Sequence, residues 1–420
     1  MTATADPQAD DELLRLLLTP EGRADPYPCY RFLRERAPVL RTGFGPLVLS
    51  QYDDCLVALR HPRLGRGTAL RASGEAAVLP FAGVGADADP ELRQRFVGGQ
   101  GDNMLFADPP DHTRLRQLAS RAFTPQRVNA LRPAVLAMVD GFIDDLLDAG
   151  EADVMAVLAF PLPVTVIGEL LGVPAADRAT FQPLVRASVA ALDPVIDTNS
   201  LRAAVGAMEE MRAYFFELLA ERRRRPAADL LSALAEARDR GDALDDDEVV
   251  ATAVLLFAAG FETTTNLIGN GLLALLQHPD QLRRWRRDPS LSVGAVEELL
   301  RWDSPVQLNM RMALEDTEVA GERLVRGDTV VVLQGSANRD PARFAEAESF
   351  NVGRIDNAPL SFGMGIHHCL GAGLARMEGA VVFERLLQRC RRIELQGGPP
   401  QWRPTFVLRG LTELVVSVSA

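Results

Sequence analysis

The stretch from Asp245 to Gln277 constrains the fold of this chain more than any other. Its apolar residues recur at helical spacing throughout, and Asp245 followed three residues later by Glu248 makes a capping box for the exposed amides of a helix start. His278-Pro279 ends the pattern, because proline has no amide to continue the ladder. At 1.5 Å per residue the helix is roughly 50 Å long, enough to cross a whole domain. Through Val254–Phe261 it is apolar nearly all round, which predicts a buried element. A buried helix rarely carries Gly260, Glu262, Thr263 and Thr264 together. Such polar groups need partners or a function.

The rest of the chain reads as mainly helical with small sheets near both ends. Apolar residues keep helical spacing from Thr113 to about Arg224, broken at Pro125, Pro161, Pro174 and Pro194. A second helical block runs from Asp245 to Trp302, and a short helix is predicted over Pro28–Arg36. Strand signals fall at Pro46–Ser50, Glu318–Val319, Thr329–Leu333 and Leu411–Val418. Gly65–Gln100, rich in Gly and Ala, reads as a long loop. Without a repeat, a low-complexity tract or a visible linker, residues 1–420 are expected to form one domain.

With 47% hydrophobic residues in 420, the chain can bury a large core and is not disordered by composition. Its 45 basic residues, all arginine, face 57 acidic ones, and the net charge of −12 argues against a general affinity for nucleic acid. The all-arginine, Ala-, Gly- and Pro-rich usage fits a high-GC bacterial genome. Met1–Asp11 is polar and acidic, unlike a secretory leader, and the apolar run Val249–Phe261 falls short of the roughly 20 residues of a membrane span. Cys29, Cys55, Cys369 and Cys390 are scattered, with no CxxC spacing. A reduced cytoplasmic protein without a membrane segment is expected.

The sharpest chemical signal is Phe362-Gly363-Met364-Gly365-Ile366-His367-His368-Cys369-Leu370-Gly371-Ala372-Gly373-Leu374-Ala375-Arg376. Glycines at 363, 365 and 371 suit a tight loop bringing backbone close to the sulfur. Amides aimed at the sulfur, and a helix beginning just after it, favour a thiolate. A lone cysteine in a glycine-rich turn is more often buried and inert. This stretch, however, resembles the haem-binding signature F-G-x-G-x-H-x-C-x-G-x-x-L-A-R of the cytochromes P450, with no departure at a fixed position. By that resemblance Cys369 is the axial ligand of the haem iron, Phe362 and Gly363 pack beside the macrocycle, and His367 reaches a haem propionate.

The resemblance spans nearly the whole chain. Glu298-Leu299-Leu300-Arg301 matches the family's ExxR, and Phe350-Asn351-Val352-Gly353-Arg354 supplies a second arginine for a buried structural network. The same spacing at Glu209/Arg212 and Glu221/Arg224 reads as ordinary exposed pairs. His112 and Arg116, four apart on one helical face, and Arg311 in the extended stretch that follows match propionate-binding positions. Ala259-Gly260-Phe261-Glu262-Thr263-Thr264 matches the oxygen-activation motif, with Glu262 and Thr263 as the catalytic acid–alcohol relay for protons and Gly260 marking a place where such helices often open. Without the family, hydroxyls bonding back to carbonyls one turn earlier would explain the threonines.

The resemblance implies the mainly α P450 fold, one haem b, and insertion of one oxygen atom from O2 into an apolar small molecule, by hydroxylation or epoxidation, in bacterial secondary metabolism. It also implies a ferredoxin and an NAD(P)H-driven ferredoxin reductase, and Arg114, Arg121 and Arg376, near the cysteine loop, are the candidates expected to dock an acidic ferredoxin. The alternatives are a peroxide-driven or isomerising haem-thiolate enzyme and a non-catalytic haem sensor, neither of which needs the Glu262–Thr263 pair. The substrate pocket is expected from Gly65–Asn103, Leu255–Ala259, Val306–Met310 and Val407–Leu408, with Gln307 and Asn309 available to orient a polar group.

Overall fold

The computed structural model describes residues 7–73, 91–92, 95–96, 103–193, 196–239 and 242–420. Its axis is the helix Asp246–Gln277. Asp245 caps it by accepting the Glu248 amide at 2.8 Å, while Glu248 accepts the Asp245 amide at 3.0 Å. Pro161–Leu171, Phe181–Ala190, Thr198–Arg224, Ser292–Trp302 and Ala372–Arg389 all pack on this helix. Near its middle Phe257 meets Phe181 at 4.5 Å and Phe215 at 6.0 Å between ring centroids, locking three helices together. Among the described residues this is the one helix long and apolar enough to cross a membrane, a property that counting only its longest unbroken apolar run conceals. Instead, 61% of its most apolar window is buried against protein, as in a core helix.

Helix breaks fall at the expected prolines. Pro125 and Pro161 begin helices, and Pro174 precedes Ala175–Arg178. Pro194 lies outside the described residues. A five-stranded sheet runs in the order Val39–Arg41, Leu47–Leu49, Thr329–Val332, Asn309–Ala313, Leu64–Gly65. It is antiparallel except where Leu47–Leu49 pairs in parallel with Thr329–Val332. The N-terminal helices cover it, with Leu13, Leu16, Tyr30 and Leu33 packed against Val48, Leu308 and Val331. A second sheet joins Arg392–Leu395, Val415–Ser419 and Glu151–Asp153.

Three differences from expectation have local causes. The strand expected over Leu411–Val418 starts at Val415, because Leu411 instead bridges Trp402 across a turn. Glu151–Asp153 and the π-turn Met155–Ala159 interrupt the helical block where the chain pairs with Val415–Ser419. The expected loop Gly65–Gln100 contains the helix Thr68–Ala72, and most of its remainder lies outside the described residues.

Candidate active site

The cysteine loop is shaped by two glycines with positive φ, Gly363 at 65° and Gly365 at 72°. A Cβ on Gly365 would also stand 2.6 Å from the Leu59 carbonyl oxygen. Gly371 has an ordinary φ of −83°, and a Cβ there would make only an ordinary contact with the Cys369 sulfur, at 4.0 Å. The Cys369 amide donates to the Phe362 carbonyl at 2.9 Å and closes the loop. Of the four cysteines only Cys369 is exposed. Burial by the protein around the loop pushes its thiol pKa up; the amides of Gly371 and Ala372, with Arg116 and Arg376, oppose that. The helix Ala372–Arg389 starts three residues after it.

A buried network braces the loop. Arg301 donates to both oxygens of Glu298 at 2.7 and 2.8 Å, and Arg354 Nε donates to Oε2 at 3.0 Å. The Asn357 side chain and the Asn351 amide add donors at 3.0 and 2.8 Å. Arg301 also donates to the carbonyls of Asn338, Ala347 and Ser349. Asn338 in turn holds the Leu360 amide at 2.7 Å and the Ser361 hydroxyl at 2.9 Å, so the network ends at the residues that enter the loop. The ExxR spacings at Glu209 and Glu221 do not pair internally: Glu209 takes Arg95, Arg212 takes Asp247 and Glu221 takes Arg222.

Beside the loop His112 and His367 face each other, ring centroids 4.3 Å apart. Both ring nitrogens of His112 and Nε2 of His367 are buried without a hydrogen-bond partner among the described residues. Burial, then Arg66, Arg311, His112 and Arg116, holds the His367 pKa far below its ordinary value. Burial and then Arg116 and Arg66 lower that of His112. Burial also pushes the Arg311 guanidinium down to about 10, with Asp108 opposing. Crowded cations with orphaned donors call for anionic acceptors, and the two carboxylates of haem meet that need. The residues therefore fit the group. Arg116 also donates at 2.6 Å to the His368 carbonyl and so braces the cysteine loop. Arg66 is the member the sequence did not announce. It arrives because Leu64–Gly65 pairs with the strand that carries Arg311.

On the central helix, Leu255, Ala258, Ala259 and Thr263 are less covered than their neighbours and leave one face open. The helix shows no local opening at Gly260. Thr263 Oγ donates to the Ala259 carbonyl at 2.8 Å, and Thr264 and Thr265 make the same bond one turn back. Glu262 does not reach Thr263. Its Oε1 pairs with Arg403, while Oε2 is buried without a partner among the described residues.

The Val306–Met310 stretch meets Val407–Leu408 through the Val306–Leu408 bridge and the Gln307 amide on the Val407 carbonyl at 2.9 Å. The two polar residues expected to orient a ligand are already engaged. Gln307 accepts from the Tyr30 hydroxyl at 2.9 Å and donates to the Ser304 carbonyl at 2.6 Å. Asn309 accepts from Arg66 at 3.2 Å and from Arg311. Of the expected loop Gly65–Asn103, most residues lie outside those described.

A cysteine loop with amides at its sulfur, beside an arginine–histidine cluster, is the arrangement a haem-thiolate protein requires. The sequence profile described as Cytochrome P450 matches residues 175–289 and 291–411. The polyketide biosynthesis cytochrome P450 PksS of Bacillus subtilis (strain 168) is 38% identical over 420 residues, 96% of this chain and 99% of that protein. The cytochrome P450 monooxygenase PikC of Streptomyces venezuelae is 41% identical over 403 residues, covering 94% and 91%. The crystal structure of P450BioI with an acyl carrier protein carrying hexadec-9Z-enoic acid superposes with a TM-score of 0.86 at 34% identity, over 95% of this chain and 99% of that one. The chain belongs to the cytochrome P450 family, oxidoreductases whose cofactor is haem.

Proposed function

We propose that this enzyme inserts one oxygen atom from O2 into a medium-to-large apolar molecule of bacterial secondary metabolism, using electrons from a ferredoxin and its NAD(P)H-driven reductase. The observation that carries the reading is the exposed Cys369 beneath two backbone amides, beside the His112–His367–Arg311 cluster. In this reading Cys369 ligates haem iron and Phe362 and Gly363 shape its bed. His112, His367, Arg311 and Arg66 hold the carboxylates, with Arg116 bracing the loop. Bound there, haem supplies oxygen activation and transfer to carbon. The open face Leu255–Ala259 seats the apolar ligand and keeps water away from it. Glu262 and Thr263 manage protons: Glu262 takes one up at Oε2 and, since it does not touch Thr263, hands it on through intervening water to the Thr263 hydroxyl, which swings from the Ala259 carbonyl. Relatives named for polyketide biosynthesis and for 6-deoxyerythronolide B hydroxylation support the metabolic setting.

The test is spectral and kinetic. The reduced carbon monoxide complex should show the red-shifted Soret band of a thiolate-ligated haem, lost in Cys369→His and kept when Cys29, Cys55 or Cys390 becomes Ser. With ferredoxin and reductase, Thr263→Ala should retain that band while forming less product per NAD(P)H consumed. A normal band in Cys369→His, or unchanged coupling in Thr263→Ala, overturns the corresponding assignment.

A further inference from the structure

Glu262, Asn266 and Asn270 lie four residues apart and so share one face of the central helix. All three are buried, and each keeps at least one polar atom with no hydrogen-bond partner among the described residues: Glu262 Oε2, both amide atoms of Asn266, and Asn270 Oδ1. Buried polar atoms left by protein are met by water. Three in register along one face of the helix mark a lane rather than an isolated defect.

The C-terminal turn 402–411 roofs that lane over its full length. Arg403 pairs with Glu262 Oε1, Gly410 lies against Asn266, and the Arg409 carbonyl accepts from Asn270 Nδ2 at 3.0 Å. Gly410 is required for this contact, since a Cβ there would overlap the Asn266 amide. At its far end the lane opens. Asn270 also lines a cleft of about 430 Å3 together with Asp303, Trp302, Trp402 and Arg409. That volume holds on the order of ten waters at about 30 Å3 each. From Asn270 to Glu262 the rise is about 12 Å.

We propose that this lane is a water-filled proton inlet, by which protons from solvent enter at the Asn270 cleft and reach Glu262 Oε2 past Asn266. Each proton given up by Glu262 toward the oxygen site is replaced by one drawn along the lane, with no net change in the protein. Arg403 holds Oε1, so Oε2 is the oxygen left to take the proton. Asn266 and Asn270 are positioning residues that keep water in register. The inference rests on the proposed role of Glu262, and the experiment separates the two.

In a crystal structure of the haem-loaded enzyme, ordered waters should bridge Glu262, Asn266 and Asn270, and Asn266→Leu should remove them. In turnover with ferredoxin and reductase, Asn266→Leu and Asn270→Leu should lower product per NAD(P)H several-fold and raise the solvent deuterium isotope effect. Their carbon monoxide band and ligand-induced spectral shift should match wild type, and Asn266→Ser should restore coupling. A wild-type lane without water, or leucine variants with normal coupling and isotope effect beside an impaired Glu262→Gln, overturns the inlet and leaves the relay standing. An unimpaired Glu262→Gln overturns the relay itself.

Discussion

Glu298 and Arg301, one helical turn apart, meet through two hydrogen bonds of 2.7 and 2.8 Å with both side chains wholly buried. Neither charge can be hydrated, so each depends on the other and on Arg354, Asn351 and Asn357. Removing one member leaves a buried charge short of partners, a loss of about 3–5 kcal/mol. Glu298→Ala should therefore lower the thermal midpoint sharply and leave less haem bound per chain. Glu209→Gln, at an exposed pair, should stay within about 0.5 kcal/mol of wild type. A Glu298→Ala protein with full haem and an unchanged midpoint would contradict the bracing role.

What the sequence conveyed follows from which interactions are local. The central helix was readable to its ends, because Asp245, Glu248 and His278-Pro279 set its boundaries through neighbours four residues away or fewer. The cysteine loop was readable because its shape depends on glycines within the loop itself. Arg66 was not readable, since a two-residue strand pairing with Asn309–Ala313 brings it to the site from far along the chain. Arg403 was hidden for the same reason: only the folding of the turn 402–411 over the central helix places it on Glu262. Adjacency misled at Glu262–Thr263, where successive residues on a helix point in different directions. It misled again at Gln307, whose polar atoms are taken by Tyr30 and Ser304.

The facing histidines make the haem-free protein sensitive to acid. Both ring pKa values lie below the ordinary 6.5 in the folded chain, so below that pH the unfolded chain binds more protons. The stability they contribute is present above about 6.5 and is lost as pH falls from there through the folded values. Carboxylates held by the two rings would stabilise the imidazolium forms and cancel much of this loss. The thermal midpoint of haem-free protein should therefore fall more steeply from pH 7 to pH 5 than that of the haem-loaded protein. In His112→Phe/His367→Phe the difference should shrink. Parallel curves for the two wild-type forms would remove the histidines from carboxylate binding.

Electron delivery should depend on salt, but not through all three arginines first considered. Arg114 is paired with Glu248, and Arg376 with Glu297 at 2.5 Å. A docking ferredoxin would have to compete with those carboxylates. Arg121 is exposed on the same helix as Arg114. Reversing that surface charge in Arg121→Glu should slow reduction by an acidic ferredoxin more than neutralising one in Arg114→Gln does. Raising ionic strength from 0.05 to 0.5 M should bring the Arg121→Glu and wild-type rates together, as screening removes a long-range attraction. Stopped-flow reduction followed at the carbon monoxide band measures both. Rates that ignore salt would place docking elsewhere.

Ligand recognition should rest on shape and apolar contact. The open face of the central helix offers Leu255, Ala258 and Ala259, while Gln307 and Asn309 are held by Tyr30, Ser304, Arg66 and Arg311. A polar group on the ligand would have to displace a buried hydrogen bond to reach either, at about 1–3 kcal/mol. Medium-to-large apolar molecules should therefore produce spectral binding shifts, and small, highly polar ones should not. Ala259→Phe fills the open face and should weaken binding by about tenfold or more, equivalent to roughly 1.4 kcal/mol, with the carbon monoxide band intact. Gln307→Leu should behave in the opposite way. Its loss strands the buried Tyr30 hydroxyl, so the thermal midpoint should drop while affinity for the same ligand stays within about twofold. Spectral titration and thermal unfolding of the two variants decide the matter. Gln307→Leu protein of normal stability but much weaker binding would show that Gln307 contacts the ligand after all.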